Sequence, residues 1–69
     1  MKLSARNQIP ARVISIKSGE AIANVELDAG GTRLVASITV EAVRELGITE
    51  GSELVAVIKA SDVILGIPG

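Results

Sequence analysis

The stretch AIANVELDAGGTRLVASIT, residues 21–39, decides how this 69-residue chain folds. In its first half, every second residue is apolar, which is the period of a strand with one buried face: Ala21, Ala23, Val25 and Leu27. Residues 28–31, DAGG, tolerate positive φ and favour a tight turn. Alternation resumes over 32–39, with Leu34, Ala36 and Ile38 on the inward face. The stretch predicts a β-hairpin.

The rhythm changes immediately after this hairpin. Val43 and Leu46 stand three positions apart, and Gly47 follows as a helix-ending residue. Thr39 is a suitable N-cap, and Glu41 lies in the first turn, where the helix dipole favours an acid. A short helix is therefore predicted directly after the second strand of the hairpin.

Three further strands are predicted on either side of the hairpin and helix. Residues 11–17, ARVISIK, are apolar on both faces, which indicates a central strand. Residues 53–59 and 62–67 are predicted as the last two strands. The resulting order β-β-β-α-β-β predicts an all-β fold, a five-stranded OB-like barrel with one short helix between strands 3 and 4. The leading segment 4–8, SARNQ, is expected to pair either with the last strand or with another copy of the chain.

Composition predicts a single domain that associates with itself. Apolar residues make up 48% of the chain, but it has no aromatic residue, no cysteine and no histidine. Its core must use Val, Ile, Leu and Ala, each worth only about 1.5–3 kcal/mol or less when buried. Small domains commonly compensate with disulfides, a metal or oligomerisation. The missing cysteines and histidines leave oligomerisation as the favoured route.

Charge and hydropathy narrow the possible partners. Seven basic and eight acidic residues give a net charge of −1, so the chain lacks the positive excess that attracts nucleic acid or anionic lipid. No apolar run approaches the ~20 residues of a membrane span. No apolar segment follows Lys2, which argues against a secretory signal. We expect a cytoplasmic protein with no membrane and no nucleic-acid partner.

The residue types also argue against catalysis. Histidine, cysteine and tyrosine are absent, so the commonest general base, the strongest nucleophile and a phenolic acid are missing. The carboxylates fall mostly at turns or on the helix surface, where the usual outcome is a solvated charge. No spacing typical of a zinc or calcium site occurs. We expect neither an enzyme nor a protein that ligates a metal ion directly.

An oxyanion site requires only hydrogen-bond donors and modest positive charge, and the sequence offers both. Ser4, Arg6 and Lys59 are candidates, as is Thr39 at the start of the helix, where free N–H groups and the dipole favour an anion. Each could equally be an ordinary surface group or a helix cap. They gain meaning only if the fold, or two copies of it, brings the two ends of the chain together.

Five short motifs are spread over nearly the whole chain: SARNQ at 4–8, AIANV at 21–25, IT at 38–39, LGI at 46–48 and IKASDV at 58–63. In these motifs and their spacing the chain resembles the molbindins, small molybdate-binding proteins built from the Mop or TOBE-type domain. It implies an OB-like fold that assembles as a homohexamer, a trimer of dimers, with molybdate or tungstate held at subunit interfaces. It implies oxyanion storage and homeostasis in the cytoplasm, with no organic cofactor.

The resemblance also assigns site residues. It implies molybdate binding by Ser4, Arg6 and Lys59, with main-chain help at Ala60. Thr39 and Ala42 would come from the facing subunit. Some relatives have serine at position 42, so Ala42 could offer only its backbone N–H. A second class of site is implied where dimers meet, with residues 19–24 as its candidate.

Two other interpretations remain open from the sequence. Residues 38–52 are similar to the strand, helix and LGI turn of swapped-hairpin (AbrB-like) DNA-binding transcription factors. Alternatively, the chain could be an oxyanion-sensing domain of the kind fused to importer ATPases or regulators. The start at Met1 and the end at Gly69 favour a free-standing single domain over 1–69.

Overall fold

The computed structural model describes residues 2–69 and contains one antiparallel sheet of four strands and one α-helix beside it. The elements are β1 (Asn7–Ser18), β2 (Ile22–Ala29), β3 (Thr32–Thr39), α1 (Val40–Leu46) and β4 (Glu53–Ile58), followed by a 3₁₀ turn, Ala60–Asp62. The strand order is β3-β2-β1-β4, so β1 is central as predicted. No helix within residues 2–69 is long and apolar enough to cross a membrane.

The structure confirms the hairpin that the alternation of apolar residues predicts, formed by β2 and β3. Val25 and Leu27 are buried, and their partners across the ladder are Ala36 and Leu34. The connection depends on Gly30 and Gly31, whose φ values of 61° and 94° lie in the left-handed region that disfavours other residues. The side chain of Asp28 accepts a hydrogen bond of 2.8 Å from the Gly31 N–H, which closes the turn.

Strand β1 begins earlier than predicted because it serves two neighbours in succession. Residues 7–12 pair with β4, whereas residues 12–18 pair with β2. Pro10 cannot donate a ladder hydrogen bond, but here β1 has only one neighbouring strand, so the missing donor is tolerated. Asn7 and Gln8 pair with Ile58 and Val57 of β4. Of the segment 4–8, residues 7 and 8 therefore pair with the fourth strand of the structure and not with a fifth.

A β-bulge explains why β1 is apolar on both faces. Val13 pairs with Leu27, but the next pair is Ser15 with Glu26, which leaves Ile14 as an extra residue. The bulge switches the inward parity: Val13 is buried before it, and Ile16 packs against the core after it. Ile14 itself is 46% exposed.

The helix begins and ends where its capping residues predict. The Thr39 hydroxyl oxygen accepts a hydrogen bond from the Ala42 N–H, and Gly47 has a left-handed φ of 65°. The Gly47 and Ile48 N–H groups donate to the carbonyl oxygens of Arg44 and Val43, which satisfies the last turn. Helix α1 packs beside β2 and β3, and the Val40 N–H donates to the Ala21 oxygen at 2.8 Å.

The prediction of a fifth strand over residues 62–67 is wrong for the single chain, and the sheet does not close into a barrel. Residues 63–69 have no regular structure, and Ile64, Leu65 and Ile67 are 93%, 89% and 96% exposed. A strand needs a neighbour to satisfy its backbone groups, and within residues 2–69 none lies beside this tail. Strands β3 and β4 are therefore both free edges.

The core is small for the amount of apolar sequence. Its buried members are Ala11, Val13, Ala23, Val25 and Leu27. The accessible surface is 5490 Å², whereas a compact monomer of this mass is expected to expose about 4,100 Å². The radius of gyration, 12.9 Å, likewise exceeds the about 11 Å expected for a compact domain of this length. The isolated chain leaves surface uncovered that a compact domain would bury.

Candidate functional site

The end of the sheet where β1 begins and β4 ends brings the start of the chain beside the end of its last strand. Asn7 and Ile58 are the outermost register partners, so Arg6 and Lys59 are the next residues outward on the two segments. The Asn7 Nδ2 atom donates a hydrogen bond of 3.1 Å to the Ile58 carbonyl oxygen. Ser4 and Ala60 lie just beyond this junction along the chain. Four of the predicted site residues therefore belong to one end of the sheet.

Both cations at this junction are exposed and lack acidic partners. Within residues 2–69 the one ion pair joins Arg33 to Glu26, elsewhere on the sheet. Asp62 lies in the same turn as Lys59 but forms no ion pair with it. Two cations at adjoining strand ends, neither paired with a carboxylate, are suited to an anion, since its charge would reduce their repulsion.

The 3₁₀ turn fixes the backbone beside Lys59. The Asp62 N–H donates to the Lys59 oxygen at 2.9 Å, and the Val63 N–H donates to the Ala60 oxygen at 3.3 Å. Ala60 is the first residue of the turn, so its own N–H has no partner within the turn. The turn thus presents a backbone donor next to the Lys59 side chain.

Thr39 and Ala42 lie at the opposite end of the sheet. Ser18, the last residue of β1, pairs with Ala23, and one step farther Ile22 pairs with Thr39. The two groups thus lie at opposite ends of β1, a strand of 12 residues. One tetrahedral oxyanion cannot reach both groups in one chain.

The contact between Thr39 and Ala42 limits what Ala42 can offer. The Ala42 N–H already donates to the Thr39 hydroxyl oxygen at 3.0 Å. A hydroxyl can accept this bond and still donate its own hydrogen. Thr39 is exposed, so its hydroxyl is the group that can contact a ligand, whereas the Ala42 N–H is engaged by the hydroxyl oxygen.

Residues 19–24, the candidate for a second class of site, comprise the tight turn from β1 into β2 and the first three residues of β2. The Gly19 N–H donates to the Ile22 oxygen at 2.8 Å, so this donor is engaged within the turn. A Cβ atom at Gly19 would lie 3.2 Å from the same oxygen, which explains the glycine. The turn lies beside the start of α1.

An apolar groove opens between the free edges of β3 and β4. It encloses about 290 Å³, and its walls are mainly inward side chains of the two strands, among them Leu34, Ala36, Leu54 and Ala56. These side chains are partly buried and pack against the core. The groove is therefore an apolar surface that the single chain leaves uncovered.

Sequence reasoning missed one residue at the junction. Asn7 makes the only side-chain hydrogen bond within residues 2–69 that joins distant parts of the chain. The sequence signal that could have identified Asn7 is its side-chain amide directly after Arg6 in the SARN motif. No cluster of three or more His, Cys, Asp or Glu side chains that could hold a metal ion occurs in the described part of the chain.

Comparisons with known proteins identify relatives over nearly the whole chain. The TOBE domain family matches residues 3–65. Molybdenum-pterin-binding protein 1 of Clostridium pasteurianum is 46% identical over 66 residues, which cover 94% of this chain and 97% of that protein. The structure of a molybdate-binding protein from Sporomusa ovata superposes with a TM-score of 0.93 at 36% identity, covering 97% of this chain and 100% of that one.

A third comparison covers half of a longer protein. The cytoplasmic molybdate-binding protein ModG, in a structure with molybdate bound, is 48% identical with a TM-score of 0.93, over 99% of this chain and 49% of that one. These likenesses establish an all-β, OB-like fold for the chain. They also disfavour the AbrB-like interpretation, because residues 38–52 here belong to a fold shared with molybdate-binding proteins. The chain belongs to the TOBE domain family and groups with the molybdenum-pterin-binding proteins.

Proposed function

We propose that this protein binds molybdate or tungstate through hydrogen bonds to the oxygens of the anion, and that it stores the oxyanion in the cytoplasm. The observation that carries the proposal is the junction of Arg6 and Lys59, two exposed cations without acidic partners at adjoining strand ends. The relatives named for molybdate binding support the choice of anion.

The donors at the junction suit a tetrahedral dianion. Arg6 supplies a planar fork of N–H groups, Lys59 a compact charge, and Ser4 a hydroxyl. The Ala60 N–H adds a backbone donor that has no partner within its turn. A dianion with four acceptor oxygens uses all of these, and no donor requires the anion to supply a proton.

A second copy of the chain completes the site. Thr39 cannot reach the junction of its own chain, so its hydroxyl contacts the anion from the facing subunit. Its Ala42 partner orients this hydroxyl by donating to its oxygen. The proposed site therefore comprises Ser4, Arg6, Lys59 and Ala60 of one subunit with Thr39 and, indirectly, Ala42 of another.

The tail and the groove provide the means of association. Ile64, Leu65 and Ile67 are almost fully exposed, and the chain does not fold them onto its own groove. We assign the groove to the tail of a second copy, which would pair with the free edges of β3 and β4 as the fifth strand. Each partner then completes a five-stranded barrel, and an excess surface of about 1,400 Å² over a compact monomer becomes covered. The homohexamer expected of the family, a trimer of dimers, builds on this unit.

The role is one of binding and not of catalysis. The residues at the junction donate hydrogen bonds and charge, and none is a common general base or nucleophile. The whole chain is taken as a single TOBE domain that acts without an organic cofactor, a membrane or nucleic acid. Because the net charge of the chain is −1, the attraction for an anion must come from positive charge concentrated at the site.

Calorimetric titration with molybdate tests the assignment. Arg6→Ala and Lys59→Ala should each weaken binding by about 10- to 150-fold, the loss expected for one charge-assisted hydrogen bond. Arg12→Ala, which removes an exposed cation from the middle of β1, away from both the junction and Thr39, should bind like the parent protein. Unchanged affinity in both junction variants would place the pocket elsewhere.

A further inference from the structure

The side chain of Asn7 links the two strand ends that carry the proposed cations. Its Nδ2 atom donates to the Ile58 carbonyl oxygen at 3.1 Å, and Asn7 is half-buried. The other side-chain hydrogen bonds within residues 2–69 span at most seven positions of sequence, whereas this one spans 51. It is thus the one side-chain bond that holds the start of the chain against its last strand.

The position of this bond relates it to the site. Asn7 and Ile58 form the last pair of the β1–β4 ladder, and the outward neighbours are Arg6 and Lys59. Beyond the ladder nothing else among the described residues holds these neighbours together, and their like charges repel each other. Strand ends also fray more readily than ladder centres. A bond at the last pair therefore limits the separation of the two cations.

We propose that Asn7 is a positioning residue of the oxyanion site: its side chain fixes the end of β4 so that Lys59 faces the same ligand as Arg6, without touching the ligand itself. This inference rests on the proposed function. Asn7 acts through the end of β4, which carries the Lys59 ammonium and then the Ala60 N–H, so most of its effect should disappear when the Lys59 ammonium is absent.

A double-mutant cycle measured by molybdate titration tests this coupling. Asn7→Ala should weaken binding about 3- to 10-fold, the loss expected for one uncharged hydrogen bond. In the Lys59→Ala background the same substitution should cost less than about twofold, because only the uncharged Ala60 N–H is left to position. The salt dependence of binding should be unchanged in Asn7→Ala and weaker in Lys59→Ala, since only the latter removes a charge.

Controls separate positioning from general stability. Gln8→Ala removes an exposed amide from the neighbouring position of β1 and should bind like the parent protein. Asn7→Leu keeps similar bulk without the donor, so it serves if Asn7→Ala unfolds. Equal losses in the parent and Lys59→Ala backgrounds, or no loss at all, would overturn the positioning role while the Arg6→Ala and Lys59→Ala losses still support the proposed function. A parent protein that ignores molybdate would overturn both.

Discussion

The hydroxyl oxygen of Thr39 accepts a hydrogen bond from the Ala42 N–H at 3.0 Å, and this contact links the start of α1 to the proposed ligand. The acceptor side of the hydroxyl caps the helix, which leaves its hydrogen free to donate outward. In the proposed site, this one side chain stabilises the fold with its oxygen and would recognise the oxyanion with its hydrogen. The two roles can be separated by substitution.

Thr39→Asp should keep the cap and lose the ligand. The aspartate oxygen accepts from the Ala42 N–H as threonine does, so the free energy of unfolding should change by less than about 1 kcal/mol. The carboxylate has no hydrogen to donate and repels a dianion, so molybdate affinity should fall at least about tenfold. Thermal unfolding and calorimetric titration measure the two effects. Thr39→Ser, which keeps both roles, is the control, and full affinity in Thr39→Asp would exclude Thr39 from the site.

The exposed tail should control association. Replacing Ile64 and Leu65 together by aspartate removes two apolar side chains, each worth about 1.5–3 kcal/mol when buried, and should raise the dimer dissociation constant by at least about 100-fold. Analytical ultracentrifugation over a range of concentrations measures this constant. Replacing both residues by valine keeps the tail apolar and should preserve association. Aspartate variants that remain fully associated would show that the groove has another occupant.

Anion selectivity should follow size and protonation. Tungstate should compete with molybdate almost equally, because the two anions share charge, shape and nearly the same size. Hydrogen phosphate carries a proton that has no acceptor in a site made only of donors. Its affinity should therefore be about 10- to 150-fold lower than that of molybdate. Sulfate carries no proton but is smaller, and a mismatch in size costs a comparable factor. Competition titrations give the order, and phosphate that displaces molybdate at equal concentration would contradict a donor-only site.

The sequence predicts this fold best where the signals are local. The hairpin follows from alternation and from Gly30 and Gly31, and the helix follows from Thr39 and Gly47, since each signal acts within a few residues of the structure it determines. The predicted strand begins at residue 11, after Pro10, whereas β1 begins at Asn7. A strand tolerates a proline where only one other strand lies beside it, and the number of neighbouring strands cannot be read from the local sequence.

What the sequence does not show has a tertiary origin. The apolar pattern of residues 11–17 correctly predicts a central strand, but the bulge at Ile14 contributes to that pattern, and only the pairing with β2 reveals the bulge. Residues 62–67 have the composition of a strand but no neighbour in their own chain. At the site, the charged candidates were visible as residue types, whereas the Asn7–Ile58 bond needed the register of β1 against β4.

The central claim is that copies of this chain associate and hold a tetrahedral oxyanion where they meet. Native mass spectrometry of the purified protein, with and without molybdate in a phosphate-free buffer, measures both parts at once. We predict an oligomer, with a hexamer as the principal species, that gains mass in discrete steps of one molybdate each. A monomer at all concentrations that gains no molybdate would contradict the account.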